Sequence, residues 1–198
     1  MCGRFALETP VDRVAQLFQL DTWVGYLPRA NIPPGTDIPV IRQAGRDGRT
    51  LDLLRWGLVP PWAQYPGGKL QPINARGETI AEKPMFKNAF RHRRCLIPAD
   101  GFYEWKSEGK AKRPYFINLP GGLMAIAGIW ETKELHEGPL TTTCIVTTSA
   151  NELMAPIHDR MPVLVPPEHW EAWLVGSEQD ALELIQPYPA EAMAATPV

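Results

Sequence analysis

Position 2 of the chain is a cysteine, within Met1-Cys2-Gly3-Arg4-Phe5. Loss of Met1 places that cysteine at the N-terminus, and cytosolic methionine removal favours a small second residue of this kind. A terminal cysteine carries an amine and a thiol on adjacent carbons. Such a vicinal aminothiol condenses with an aldehyde and closes a five-membered thiazolidine, a reaction open to no internal residue. Unperturbed, the amine ionises at about 7.7–8.0 and the thiol at about 8.5, so a useful fraction of each is nucleophilic near neutral pH. A second-position cysteine also arises by accident of the start codon, so the rest of the chain must decide.

Three further segments combine reactive side chains with tight-turn residues: Asn74-Ala75-Arg76-Gly77-Glu78-Thr79, Ala99 to Trp105, and Pro156-Ile157-His158-Asp159-Arg160-Met161-Pro162. Asn74 and Arg76 share one face if their segment is extended, which suits two groups gripping one ligand; a turn asparagine and a surface arginine are the plainer reading. Glu104 lies between Tyr103 and Trp105 and on a strand points away from both, which places it on a wet or cleft face. His158 is the side chain whose ordinary pKa spans neutrality, although an isolated histidine is commonly a surface or core residue.

The elements that must position these groups are short. The sequence holds 21 prolines in 198 residues, about twice the usual share, which breaks long helices and favours short strands and shaped loops. Apolar residues at 44% and charged ones at 21% describe a globular chain, most simply one domain over residues 1–198. Thr9-Pro10-Val11-Asp12 predicts a helix start with Thr9 as cap, continuing through Val14, Leu17, Phe18 and Leu20. Pro28 to Gly35 reads as a rigid loop, and Ala63 to Leu70 as a polar, glycine-containing one. Strands are predicted at Ile38 to Arg42, Leu51 to Leu58, Cys95 to Ile97, Phe102 to Lys106, Tyr115 to Leu119, Leu123 to Trp130, Thr141 to Thr148 and Met161 to Val165. Helices are predicted at Met85 to His92, with Phe86 and Phe90 on one side, after Pro166-Pro167, and near Asp180 to Ile185. The order is α+β and mainly antiparallel.

Several classes are disfavoured. No apolar run reaches the roughly 18 residues of a membrane span, and the N-terminus lacks a signal peptide's apolar core, so a cytosolic chain without a membrane partner is expected. Cys2, Cys95 and Cys144 are widely spaced with no Cys-x-x-Cys, so neither a disulfide framework nor a zinc ribbon is expected. Cys95 and Cys144, within Cys-Leu-Ile and Cys-Ile-Val, read as core thiols. No metal-ligand spacing or phosphate-cradling glycine loop appears, and no cofactor is predicted. With a formal net charge of −2, binding to nucleic acid requires basic residues gathered on one face.

Six ordered motifs carry a resemblance. They are the opening Met-Cys-Gly-Arg-Phe, Asn31-Ile32-Pro33-Pro34-Gly35, Trp56-Gly57-Leu58-Val59-Pro60, Asn74-Ala75-Arg76-x-Glu78-Thr79, Arg93 through Trp105 (RRCLIPADGFYEW), and Ile157-His158-Asp159-Arg160-Met161-Pro162. From Met1 to about Val165 the chain resembles the SOS-response-associated peptidase family, the abasic-site processing proteins that crosslink to DNA. The resemblance implies a compact β-rich domain with a positively charged groove for single-stranded DNA. It implies that Cys2 is the nucleophile exposed by loss of Met1, surrounded by Asn74, Glu104 and His158. Arg4 and Arg76 match positions that grip phosphates, and Trp62 falls where an aromatic supports bases beside the lesion. The motifs also bring Asn31, Trp56 and Arg160 into the candidate DNA surface. Three features depart from the family pattern: Ala63 where some relatives carry a second aromatic, Gly77 between Arg76 and Glu78, and a short C-terminal tail.

The chemistry of an abasic site fits these residues. Its ring-opened deoxyribose bears an aldehyde at C1′. The Cys2 amine attacks to give a carbinolamine and then an iminium, and the loss of water needs an acid that Glu104 or His158 can supply. The iminium acidifies C2′ and invites β-elimination with strand scission; the Cys2 sulfur intercepts it by closing the ring. Proton shuttling falls to Glu104, sugar-ring opening or reversal to His158, and orientation of amine and sugar to Asn74, with the division between Glu104 and His158 open. Arg4 and Arg76, with Arg29, Arg93, Arg94 and Arg160 as further candidates, would neutralise phosphates. Trp62 and Trp56 would stack on unpaired bases, although the apolar run around Trp56 also fits core packing. Two other readings compete: a thiol peptidase built on Cys2, His158 and Asn74, whose evident target is its own Met1–Cys2 bond, and a non-catalytic single-strand binding module. A monomer is expected.

Overall fold

A computed structural model describes residues 2–45, 48–64 and 71–198. Met1 and residues 65–70 of the polar loop expected after Trp62 lie outside the described residues. In chain order the first elements are β1 (Phe5–Leu7), α1 (Val11–Phe18), β2 (Thr22–Trp23), β3 (Arg29–Ile32), β4 (Asp37–Ala44), β5 (Gly48–Trp56) and β6 (Asn74–Arg76). Then follow α2 (Lys87–His92), β7 (Arg94–Ala99), β8 (Gly101–Glu108), β9 (Ala111–Asn118), β10 (Met124–Leu135) and β11 (Gly138–Ser149). The chain finishes with β12 (Arg160–Pro162), α3 (Trp170–Val175), α4 (Glu178–Glu183) and β13 (Ala194–Pro197).

These strands form two sheets. The first is antiparallel, in the order β13-β9-β8-β1-β3. The second runs β12-β11-β10-β7-β4-β5-β2 and closes on itself, because β11 also pairs with β5, in parallel through Thr142↔Arg55 and Thr143↔Trp56. Closure removes the exposed edges that a flat sheet would leave. The α+β, mainly antiparallel class read from the sequence is the one observed, with parallel exceptions at β11–β5, β11–β6 and β2–β5.

The core fills the space inside the ring and between it and the first sheet. Phe5 of β1 meets Trp56 of β5 edge-on at 5.4 Å between centroids, and Phe18 of α1 stacks on Trp170 at 4.3 Å. Cys95 and Cys144 are buried free thiols inside it. Arg94 is also interior: its guanidinium donates to the carbonyls of Phe90, Arg91, Trp173 and Gly176, tying the ends of α2 and α3 together. A buried charge is tolerated when its donors are satisfied in this way.

Local expectations differ from the structure at three places. Thr9 does not cap α1; Pro10 holds the N-cap position, and Thr9 spends its hydroxyl and amide on Asp100. The segment from Pro28 to Gly35 contains a strand, β3, paired with β1 at the sheet edge, where flanking prolines are tolerated because an edge leaves their missing N–H unused. Helix α4 starts at Glu178 rather than near Asp180, because Ser177 and Asp180 form a capping box.

Gly77 follows β6 directly, and its place is set by the C-terminal segment. A Cβ there would lie 2.2 Å from Ile185 Cγ2 and 3.2 Å from the Thr147 carbonyl. Gly77→Ala is therefore expected to destabilise the protein by about 1–3 kcal/mol, the usual cost of forcing atoms into a packed site. In urea unfolding, the cost should shrink in an Ile185→Ala background, which removes the clashing methyl; equal costs in both backgrounds would contradict this reading.

Candidate active site

The N-terminal segment runs beside β8. Phe5 pairs with Phe102, and the Tyr103 amide donates to the Arg4 carbonyl at 2.9 Å, so this register carries Cys2 back to the level of Glu104. Strand β8 presents Phe102 and Glu104 on the same inward face, and Glu104 is only 4% exposed. Of the wet or cleft face expected for this carboxylate, the wet one is excluded: alternation turns it inward, with Tyr103 and Trp105 on the outer side. Cys2 is 1% exposed. Burial, reinforced by the negative charge of Glu104, pushes its thiol well above the usual range. The thiol is therefore held further toward its protonated form than the unperturbed value implies.

Asn74 comes from the other sheet. Strand β6 lies parallel to β11 through Ile145↔Asn74 and Thr147↔Arg76. The Asn74 Nδ2 donates to the Cys2 carbonyl at 3.1 Å and fixes the backbone there. Its Oδ1 is buried and has no hydrogen-bond partner among the described residues. A buried carboxamide oxygen in that state is an acceptor in waiting, suited to an amine or a sugar hydroxyl. Cys2, Asn74 and Glu104, distant in sequence, thus converge where the two sheets meet.

His158 lies in the turn between β11 and β12. Its Nδ1 accepts from the Arg160 amide at 3.0 Å and lies 2.9 Å from Asp159 Oδ1. In the neutral ring the amide contact assigns the proton to Nε2; in the imidazolium, Nδ1–H turns to Asp159.

Around these residues the candidate DNA contacts are distributed unevenly. Arg76 and Asn31 are exposed, and the half-buried Arg4 lies within 3.5 Å of Asn31 Oδ1 on edge strand β3. Trp62 is 62% exposed. It sits in a turn closed by the Ala63 amide on the Pro60 carbonyl, and Lys133 Nζ holds the Pro61 carbonyl at 2.7 Å. Trp56 is corrected: it is fully buried and donates Nε1 to the Ile73 carbonyl, so its ring offers no face to a base. Arg94 is likewise enclosed, Arg93 is paired with the buried Glu131, and Arg29 is committed to Thr36 and the Asp37 carbonyl. Arg160 is bound on both terminal nitrogens by Glu78 and reaches the Thr147 carbonyl. A phosphate would have to displace Glu78 to take it.

Sequence reasoning missed Glu78 as the clamp on Arg160 and Lys133 as the brace behind Trp62, since both contacts join residues far apart in the chain. The Arg160 hydrogen bonds hold the Glu78 carboxyl below its ordinary 4.5. A depressed carboxyl contributes stability above its unfolded pKa and loses it as the pH falls through the lowered folded value. Glu78→Gln is accordingly expected to flatten the decline of the thermal midpoint below about pH 4.5, and an unchanged acid limb would contradict the clamp.

Among the described residues no group of three or more His, Cys, Asp or Glu side chains could hold a metal ion, and no helix is long and apolar enough to cross a membrane. Comparison with known proteins gives one consistent answer. The family described as SOS response associated peptidase (SRAP) matches residues 1–198. The abasic site processing protein YoqW of Bacillus subtilis (strain 168) is 44% identical over 204 residues, covering 98% of this chain and 91% of that protein. The abasic site processing protein YedK of Escherichia coli (strain K12) is 38% identical over 186 residues, covering 88% and 79%. A crystal structure of a protein from Bacteroides thetaiotaomicron superposes with a TM-score of 0.91 at 26% identity, covering all of this chain and 92% of that one. The six motifs, the fold and these relatives agree, and the chain belongs to the SOS response associated peptidase family.

Proposed function

We propose that this protein processes abasic sites in single-stranded DNA by forming a covalent thiazolidine through Cys2 after Met1 has been removed. The observation that carries the reading is the convergence of Cys2, Asn74 and Glu104, with the Asn74 Nδ2 on the Cys2 carbonyl at 3.1 Å and its Oδ1 left open. The names of the relatives point to the same lesion.

The burial of Cys2 suggests an order of events. The amine freed by loss of Met1 attacks C1′ first, while the sulfur is still protonated. Asn74 Oδ1 accepts from that amine and aims its lone pair. Glu104 or the His158 imidazolium protonates the departing hydroxyl of the carbinolamine, water leaves, and an iminium remains. The Cys2 sulfur then adds to the iminium carbon, the nitrogen recovers the electron pair, and the thiol proton passes to the carboxylate. One water is released overall. Ring closure removes the iminium that would otherwise acidify C2′ and cut the strand, so the residue that makes a lyase-type intermediate also quenches it. Arg4, Arg76 and Asn31 hold the flanking phosphates, and Trp62 supports an adjacent base. Release of Met1, by the protein itself or by an aminopeptidase, is the step that the peptidase name of the family would describe here.

The test is a denaturing gel. A single-stranded oligonucleotide whose uracil has been excised should give a heat-stable, slowly migrating adduct, while the undamaged strand should give none. An abasic strand first reduced with borohydride, which lacks the aldehyde, should also give none. Absence of the first adduct, or its persistence with the reduced strand, would overturn the reading.

A further inference from the structure

The hairpin of β8 and β9 extends past the site and is strongly basic. Lys106, Lys110, Lys112 and Arg113 crowd its outer half against one acid, Glu108, in a chain whose formal net charge is −2. The register pairs Glu104 with Tyr115 and Lys106 with Arg113. Directly opposed residues of an antiparallel pair share a face, and residues two apart on a strand share it as well. Lys106 and Arg113 therefore stand on the face that carries Glu104, one step further out. Where Glu104 is buried, Arg113 is exposed and Lys106 is half-buried, so this face leaves the core and overhangs the end of the molecule at which Cys2 lies.

Like charges directly across a strand pair are destabilising. Among the described residues neither Lys106 nor Arg113 has an ion-pair partner. Arg113 is instead turned over the Tyr115 ring at 5.9 Å. Strand β13 runs along β9 only as far as Pro197↔Tyr115, with Val198 bonded to the Pro114 carbonyl, so the basic half of β9 is not covered by it. An opposed cation pair, continuous with the buried Glu104 and sharing its face with a single acid, Glu108, that neither cation pairs with, leaves a surplus of positive charge for an anion brought from outside.

We propose that the outer β8–β9 hairpin is a second phosphate-binding surface, engaging the backbone of the same DNA strand beyond the nucleotides next to the lesion, with Lys106 and Arg113 as its centre, Lys110 at its tip, and Lys112, opposite Ser107 on the reverse face, for a strand that wraps the tip. The proposal rests on the abasic-site reading of the site and extends its footprint: with a rise of about 3.4 Å per residue, the hairpin carries positive charge roughly 14 Å outward from Glu104. Phosphates there need no lesion, so the surface contributes to undamaged strands as well.

The experiment measures retention of an undamaged single-stranded oligonucleotide by the full chain at increasing salt. Each phosphate neutralised on a single strand contributes about 0.7 to the slope of log affinity against log salt. Lys106→Ala with Arg113→Ala should therefore flatten the slope by about 1.4. Relief of the like-charge pair should leave the thermal midpoint unchanged or raised. Lys110→Ala with Lys112→Ala, at the exposed tip, should flatten the slope independently. Unchanged slopes in both variants overturn the proposal, as does flattening confined to a variant whose midpoint has fallen. A parallel assay of the wild-type chain on an abasic strand separates the two readings. Crosslinking with unchanged slopes sinks the hairpin surface alone, and flattened slopes without crosslinking sink the covalent chemistry alone. A wild-type chain that retains no strand at all sinks both.

Discussion

Replacing Cys2 with alanine is expected to abolish the heat-stable adduct while leaving a residual, lesion-dependent nicking of the strand. The substitution keeps a small second residue, so Met1 is still removed and a terminal amine is still presented beside Asn74. That amine can form the iminium but has no sulfur to close the ring. The intermediate then either hydrolyses back or loses its C2′ proton, and β-elimination cuts the strand. Borohydride trapping should capture this iminium in Cys2→Ala as a stable secondary amine. The fold should tolerate the change: Cys2 is a buried member of the core, but alanine removes a single sulfur whose hydrogen bond, to the Arg4 carbonyl, spans 4.0 Å. A heat-stable adduct of wild-type yield in Cys2→Ala would contradict ring closure, and loss of both adduct and nicking would place the amine elsewhere.

The second large effect is expected at Glu104. Glu104→Gln preserves shape and removes the ability to carry a proton, so the rate of adduct formation should fall by about 10²- to 10⁴-fold, the span typical of a positioned acid–base group. The thermal midpoint should hold or rise, because a buried carboxylate gives way to a neutral isostere. This variant also separates two explanations that coincide in the wild type. The Glu104 charge pushes the Cys2 thiol upward, so its removal lets the thiol ionise more readily and react faster with an alkylating reagent. If thiolate formation limited crosslinking, Glu104→Gln would accelerate it. Slower crosslinking with faster alkylation identifies proton transfer as the role of Glu104, and acceleration of both would assign the carboxylate a purely electrostatic, inhibitory part.

Much of the scaffold was legible because long strands declare themselves. Thr141 to Thr148 and Leu123 to Trp130 are β-branched or apolar runs; the first lies inside β11 and the second coincides with β10 from Met124 onward. At the site β8 is legible, as the run Phe102 to Lys106, but the shorter strands are not. β1, β3 and β6 have three or four residues each, too few for a period to emerge, and their places are fixed by partners far along the chain: β1 by Phe102, β6 by Ile145. A lone carboxylate between aromatics on a strand leaves Glu104 on a wet or cleft face; its inward direction is set by Phe102 two residues earlier. Trp56 was ambiguous between a stacking surface and a core residue until Phe5 was found against it. Arg160 was counted as a free cation because nothing local announces Glu78, 82 residues away, as its partner. Only the contacts made after folding distinguish a rim arginine such as Arg76 from enclosed ones such as Arg94.

The account stands most directly on the intact mass of the protein before and after exposure to a short abasic strand. Before exposure the mass should correspond to the chain from Cys2 onward, without Met1. Afterwards it should equal the sum of protein and strand less one water, stay unchanged on heating, and map to the N-terminal peptide. A chain that retains Met1 and still forms the adduct, or an adduct that maps to any residue other than Cys2, would contradict it.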